Sequence, residues 1–326
     1  MQSKNNGAGV KAFIKQKFDL SKAIVYFAFV GMLILFAILL SDKGFLSVNN
    51  LLNITRQTAM ISIMAIAMTF VIAAAQIDLS IGSVTALTSL ITALILSATN
   101  NIILALLGGL ALGAVVGSVN GLLVTAVGIP AFLVTLGTMG IIRGFAMWIT
   151  DTAAVPIMNQ TYNFIFGTGD IGGIPILLFW TLLFLVFGIL LLNKTAFGRK
   201  VLATGGNEVA ARFTGIKTNK IKYLTFLMSG LFAAFAGILY AGRMQAGRYT
   251  YGESDELSVI AAVILGGTSM AGGVGSVLGS VVGSLLMGMI NNGLIIAGLS
   301  VAQQTIVRGA IIILAVALGN KSQKNR

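Results

Sequence analysis

Residues 73–96 read AAAQIDLSIGSVTALTSLITALIL. Asp78 is the only charged residue between Arg56 and Arg143, one position in the 86 from 57 to 142. A soluble domain carries roughly 25% charged residues, so a run this bare belongs where water does not reach. A carboxylate in lipid is costly and has to face protein or water. Where these positions sit decides both the fold and the work of Asp78.

Outward from this run the chain keeps the same character. It has 326 residues, 57% hydrophobic and 9% charged, with a mean hydropathy of +0.97. Apolar stretches recur from residue 23 to residue 320, each near the roughly 20 residues that cross about 30 Å of hydrocarbon. They are apolar on every face, unlike the alternating segments of a barrel, and helices satisfy their own backbone groups in lipid. The expected fold is an all-α polytopic membrane protein with about ten segments, near 23–41, 51–75, 78–98, 101–126, 131–150, 174–192, 223–242, 256–272, 276–297 and 303–320. Glycine, serine and asparagine interrupt or crowd segments two, three and eight, which are expected to be broken or re-entrant. Pro130, Pro156 and Pro175 fall where helices should end. A single transmembrane domain, 23–320, stands between an N-terminal arm, 1–22, and a tail, 321–326.

Basic residues set the sidedness. Lys4, Lys11, Lys15, Lys17 and Lys22 lie in the arm with one acid, Asp19. Lys194, Arg199, Lys200, Arg212, Lys217, Lys220 and Lys222 lie in or beside the 193–222 loop with one acid, Glu208, and Lys321, Lys324 and Arg326 lie in the tail. An even number of crossings puts all three on one side, and the positive-inside rule makes that side cytoplasmic. The net charge of +12 is read in this way, with no nucleic-acid partner. The arm resembles a signal peptide in charge, but residues 39–45, LLSDKGF, hold no small-residue cleavage pattern, so the first segment is expected to be retained. The one sizeable outer loop, 151–173, carries Tyr162, Phe164 and Phe166. It is either an amphipathic piece resting at the interface or a surface for an external partner.

There is no cysteine and no histidine, which removes disulfides, thiolate nucleophiles, imidazole ligands and histidine acid–base chemistry. No metal site is expected. No G-x-x-x-x-G-K followed by serine or threonine is present, so the chain has no Walker A loop. A pump with this sequence borrows ATP hydrolysis or uses an ion gradient.

The chain also echoes itself. VVGS occurs at 115–118 and at 281–284, an offset of 281 − 115 = 166, and Arg-Gly occurs at 143–144 and 308–309, an offset of 308 − 143 = 165. Segments four and five would pair with nine and ten, which cross in the opposite sense. That is the pattern of an inverted repeat, common in transporters. The glycines of both stretches read as close-packing helix faces.

The most polar long segment, 193–222, reads NKTAFGRKVLATGGNEVAARFTGIKTNKIK. Asn207 can cap a short helix, Glu208 suits its positive end, and Gly215 suits its exit. Val209, Ala210 and Phe213 make one apolar side. A helix this short needs something to pack against. It either lies on the protein's own surface or presents Val209 and Phe213, ringed by Arg212 and Lys217, to a cytoplasmic partner.

Three stretches then carry a resemblance. QIDLSIGS at 76–83, ATGGNEVAARFTGIKTNKIK at 203–222 and ELSVIAAVILGGTSMAGGVGSVLGS at 256–280 resemble the membrane permeases of bacterial ABC importers for monosaccharides, most closely those of the ribose type. The likeness runs from FLSVNNLLNI at 45–54 to the basic tail. Gln76 stands where that family has glycine, and Val274 where it has a basic residue. The resemblance implies a location in the bacterial inner membrane, a second permease chain, cytoplasmic ATPase subunits that hold ATP and Mg, and an extracytoplasmic sugar-binding protein. This chain itself would bind no cofactor and have no catalytic residues. The ATPase-coupling residues implied are Gly206, Asn207, Glu208, Ala210 and Ala211, with Gly215 closing the helix and Phe213 as its exposed apolar contact. Asp78 with Ser80, and Gly266, Gly267, Thr268 and Ser269, fall on the family's other motifs.

For Asp78 three roles stay open: a cap on the helix of segment three, a brace for irregular backbone beside the path, or a proton relay. A neutral sugar needs no counter-charge, so the first two suit an importer. Asn120, Thr135, Asn291 and Asn292 are candidate polar liners of the path, or else ties between helices. Arg243, Arg248, Glu253, Asp255 and Glu256 form a mixed-charge stretch on the outer side, expected to seat the binding protein or to bond within itself. The alternative function is an ion-coupled secondary sugar transporter. A channel leaves the capped cytoplasmic helix unexplained, and a membrane enzyme lacks histidine, cysteine and clustered carboxylates.

Overall fold

The structure, a computed structural model, describes residues 20–324. The lysines of the arm up to Lys17, and Asp19, lie outside the described residues, as does Arg326. The helices, in chain order, are α1 (Leu20–Leu39), α2 (Val48–Ala73), α3 (Ile81–Thr99), α4 (Ile102–Leu122, continued by wider turns over Leu123–Val127), α5 (Ala131–Trp148), the single turn α6 (Gln160–Asn163), α7 (Ile176–Lys194), α8 (Ala196–Gly206), α9 (Glu208–Phe213), α10 (Thr218–Met244), α11 (Asp255–Leu265), α12 (Val277–Ile296) and α13 (Val301–Lys324). Two antiparallel ladders of two residues a strand tie loops together. β1 (Val155–Pro156) pairs with β4 (Ala246–Gly247), and β2 (Asp170–Ile171) with β3 (Ile174–Pro175).

Helix starts follow from local chemistry. Ser47 accepts from the Asn50 amide, Asn101 from Leu104 and Ser276 from Gly279, each satisfying an orphan donor of the helix that follows. Pro130 and Pro175 occupy the cap positions of α5 and α7. Among the described residues, seven helices are long and apolar enough to cross a membrane: α2, α3, α4 with its extension, α5, α7, α10 and α12. Shorter apolar stretches lie in α1 (Val25–Leu39) and α13 (Val301–Leu314). Helices α2 and α10 run through the interior, while α4, α5 and α7 keep most of their surface outside. The fold is an all-α polytopic membrane protein.

Three sequence expectations change. Segment two is not broken: α2 is one continuous helix, because its serines and threonines bond back to the preceding turn, as Thr69 does to Ala65 at 2.8 Å. Segment eight is helical only over Asp255–Leu265, about 16 Å of rise and half a membrane. Gly266 to Ser276 then turn back into α12. The aromatics of 151–173 do not rest at an interface. Tyr162 is fully buried and donates to the Ile238 carbonyl at 2.7 Å, and Phe166 stacks on Trp180 at 5.6 Å. Only Phe164 of the three faces out.

The internal echo reappears as packing. Helices α2 and α10 lie against each other; α4 packs along α10 as α12 packs along α2. Helix α3 touches α4, α5 and α10, and α11 correspondingly touches α12, α13 and α2. Details differ between the halves: Gly113 and Gly117 of α4 approach Gly230 and Phe226 of α10, whereas Gly279 and Gly283 of α12 approach Gly266 and Ala262 beside and within α11.

The two half-repeats each begin a helix inside the bundle. After β4 the chain descends along α3. Arg248 bonds Ser89 through its amide and carbonyl at 3.3 Å, and Gly252 lies against Gly82 with no room for a side chain on either. From residue 89 to residue 82 is about 10 Å along α3. The start of α11 therefore meets the start of α3 in the interior. Arg143 of α5 holds this descending strand through the carbonyls of Tyr249 and Tyr251.

Candidate functional site

Asp78 is only 2% exposed, and every hydrogen bond it makes is one it accepts. One carboxylate oxygen takes the Ser80 amide at 2.9 Å and the Ser80 hydroxyl at 2.6 Å; the other takes the Ser229 hydroxyl of α10 at 2.7 Å. The Ser80 hydroxyl accepts from Asn120 of α4 at 2.9 Å, and Asn120 accepts from Thr138 of α5 at 2.7 Å. Hydroxyls and amides thus run in one direction toward a terminal acceptor, tying α3, α4, α5 and α10 at one point. This corrects the cap reading. The helix begins at Ile81, and Ser80 at its cap position makes no side-chain cap bond. Asp78 lies two residues earlier and braces the unwound stretch 74–80, the second of the roles left open above.

Asn120 and Thr135 are fully buried and do not line an open path: Asn120 ties helices together, and Thr135 reaches the unwound stretch before α3. Thr135 bonds the Ala131 carbonyl at 2.9 Å and reaches that of Ile77 at 3.5 Å. Asn292 forms a two-way amide pair with Asn50, both contacts 3.0 Å. Asn291 faces a cavity, where it accepts from Arg308 at 3.1 Å. Gly266, Gly267, Thr268 and Ser269 form the turn between α11 and α12. Gly266 packs on the Gly279–Ser280 backbone, Thr268 accepts the Ser276 amide at 3.2 Å, and the Ser269 amide bonds Val274 at 3.1 Å.

The 193–222 segment holds two helices where the sequence offered one. Thr195 caps α8 by accepting from the Gly198 amide at 3.2 Å. Asn207 caps α9 by accepting from Ala210 at 2.9 Å, and Gly215, at φ +83°, closes it. Glu208 is the anchor: Arg212 and Lys222 each donate to it at 2.7 Å and Thr218 at 3.1 Å. Partial burial raises the Glu208 carboxyl, but the bonds from Lys222, Arg212 and Thr218 outweigh this and hold it below its ordinary value. Ala211 packs inward, while Val209 is 64% and Phe213 88% exposed. Helix α9 is therefore pinned by charge on one side and offers an apolar tip on the other.

Sequence reasoning missed what lies beneath α9. Gly205 presses against the Ala73 carbonyl at the end of α2, and the Gly273 amide donates to that same carbonyl at 2.9 Å, with Gly206 against Gly273. The GG pairs at 205–206 and 272–273 are the signal: neither position beside Ala73 tolerates a side chain. The route from α9 to the Asp78 stretch is thus a few residues long. A second missed signal is Asp-Leu-Ser at 78–80 against Glu-Leu-Ser at 256–258, which start the two helices that meet inside the bundle.

The charged outer stretch does not form a rim. Arg248 and Glu253 are exposed, but Arg243, Asp255 and Glu256 are half-buried and turned inward. Asp255 accepts from Tyr240 at 2.7 Å, and Arg243 and Asp255 both line the cavity that holds Asn291. No ion pair joins the five among the described residues. Nor, among those residues, is there a cluster of three or more acids that could hold a metal.

The family model described as branched-chain amino acid transport system / permease component matches residues 50–316. The chain is 40% identical over 298 residues to the ribose import permease protein RbsC of Escherichia coli (strain K12), covering 90% of this chain and 93% of that protein. It is likewise 40% identical over 295 residues to the protein of the same name from Bacillus subtilis (strain 168), covering 90% and 92%. To the L-arabinose ABC transporter permease protein AraH of Azospirillum brasilense it is 36% identical over 286 residues, covering 87% and 84%. No solved structure matches the chain. With a family match that takes in every helix from α3 to α12, the chain belongs to the branched-chain amino acid transport system / permease component family.

Proposed function

We propose that this chain is the membrane-spanning subunit of an ATP-driven importer that carries a neutral monosaccharide, a pentose such as ribose or arabinose, by alternating access. The observation that carries the reading is α9: a capped, charge-anchored helix whose Phe213 and Val209 stand uncovered. Such a tip suits the groove of a cytoplasmic ATPase, which supplies ATP and Mg that this chain has no loop to hold. The seven basic residues at 194–222 support a cytoplasmic α8–α9 face, with both termini on the same side of the bacterial inner membrane.

Two copies of the chain would flank the path, exposing α4, α5 and α7 to each other or to lipid. An external binding protein would select the sugar. The identity to ribose and arabinose permeases favours this reading over an ion-coupled carrier, which also needs ionisable residues in series; Asp78 is enclosed by neutral hydroxyls and amides. Co-purification tests it: tagged permease, co-expressed with candidate ATPase and binding-protein partners from the same organism, should retain the ATPase in detergent. Hydrolysis in lipid vesicles should rise with the sugar-loaded binding protein. Absence of any retained ATPase would reject it.

A further inference from the structure

At the end of the bundle opposite α8 and α9, a cavity of about 370 Å³ opens between α2, α10, α11, α12 and α13. Its walls are largely apolar, with Ile61, Met287 and Ile311 among them. The charged and amide side chains among its polar lining are Gln57, Arg243, Asp255, Asn291, Gln304 and Arg308. Few convergent polar groups in an apolar recess is the make-up of a small-molecule site.

The polar groups are only partly used. Asp255 accepts from Tyr240 with one oxygen, and Arg308 donates once to Asn291. Among the described residues, neither Arg243 nor Gln57 has a hydrogen-bond partner. Unspent donors and a half-used carboxylate thus face one another across the space. An anion there would meet Asp255, and a cation would meet two guanidinium groups. An apolar molecule would leave Arg243 and Gln57 without partners. A neutral polyhydroxylated molecule fits, because each hydroxyl both donates and accepts.

The other half of the fold supplies a comparison. The counterparts of the cavity's walls are α10, α2, α3, α4 and α5, and there the Asp78–Ser80–Asn120–Thr138 chain ties α10, α3, α4 and α5 together. Ser80 is buried in that chain, while its counterpart in the repeated Leu-Ser pair, Ser258, lines the cavity. The repeated Leu-Ser pair thus ends in a hydrogen-bond chain in one half and on a cavity wall in the other.

We propose that this cavity is a monosaccharide-binding site within a single permease chain, at the end of the bundle opposite α8 and α9, with Arg243, Asp255, Asn291 and Gln57 contacting sugar hydroxyls. The proposal rests on the importer reading above. The probe is D-ribose, with L-arabinose in parallel. Binding of tritiated sugar to the purified permease without its binding protein is measured beside ATP-driven uptake by the whole complex in vesicles.

Arg243→Leu and Gln57→Leu break no hydrogen bond of the protein itself. Each should weaken sugar binding at least about tenfold, the loss expected with a hydrogen bond to a bound ligand. Each should also slow uptake while leaving ATPase retention and binding-protein stimulation at the wild-type level. Asn291→Leu should do the same, and the first two decide the matter if it fails to assemble. Wild-type uptake and sugar binding in both Arg243→Leu and Gln57→Leu would overturn the site and leave the importer reading standing. Phospholipid that co-purifies with wild type and is lost from Arg243→Leu, without change in sugar binding, would reassign the cavity to lipid. A wild-type complex that takes up neither pentose would overturn the importer reading, and this site with it.

Discussion

Replacing Asp78 separates a structural carboxylate from one that moves protons. Its two oxygens accept three hydrogen bonds, from the Ser80 amide, the Ser80 hydroxyl and the Ser229 hydroxyl. In Asp78→Asn the amide oxygen keeps both Ser80 bonds, and the Ser229 hydroxyl can turn to accept from the new NH2. The loss is the extra strength of a charge-assisted contact, on the order of 1 kcal/mol, offset in part by no longer burying a charge. In Asp78→Leu the three donors are orphaned. At about 1–3 kcal/mol each, that is roughly 3–9 kcal/mol, comparable with the whole stability of an ordinary domain. Ser80 would also lose its orientation toward Asn120, so the tie between α3, α4 and α5 would fail with it.

The assay is thermal stability by fluorescence-detected size exclusion, paired with sugar uptake in vesicles. Asp78→Asn should melt within a few degrees of wild type and retain most transport. Asp78→Leu should accumulate poorly or aggregate. If Asp78→Asn assembled normally, coupled to its ATPase normally and yet transported nothing, the charge itself would be essential and the bracing account would be wrong.

Phe213→Ala should leave the membrane core intact and weaken ATPase docking at least about tenfold, since burying such a ring is worth about 1.5–3 kcal/mol; co-purification yield reads this out. Gly205→Ala should uncouple or destabilise the protein, because the new methyl group would collide with the Ala73 carbonyl; normal uptake would show that the α2–α8 contact is not tight. The folded Glu208 carboxyl lies below its ordinary value of about 4.3, so its contribution to α9 is complete above that value and is lost as pH falls through the lower folded value. Amide protection over 210–216, corrected for intrinsic exchange, should hold from neutral pH to about 5 and drop below about 4, with no such step in Glu208→Gln. Arg248→Glu should reduce binding-protein stimulation of ATPase activity most at low salt; an effect independent of salt would point to a local role in the strand along α3.

The membrane fold was legible because burial in lipid leaves a blunt mark: 86 positions with one charge. The short helix α9 was legible because capping is local: Asn207 and Gly215 act within one turn of their own chain, although the anchoring of Glu208 by Thr218 and Lys222 was not. What was not legible depended on long-range contacts. Asn120 and Thr135 carry the same side chains whether they line a path or tie helices together; only their neighbours, Ser80 and Thr138 among them, decide. Arg243 and Asp255 read as surface charge because loop position suggests exposure, yet the descent of 248–254 along α3 draws the start of α11 inside. The repeat was visible at VVGS and Arg-Gly. Its most telling element, Asp-Leu-Ser against Glu-Leu-Ser, differs by one methylene and carries a different offset, 256 − 78 = 178, so a fixed period does not find it.

The central claim is that the driving force comes from a separate ATPase through α9. It is tested most directly by pentose uptake in sealed vesicles holding the permease and its ATPase, with binding protein outside and ATP enclosed. The account predicts uptake that requires enclosed ATP, survives collapse of proton and sodium gradients by ionophores, and falls with Phe213→Ala. Uptake that ran without ATP and vanished with the ionophores would contradict it.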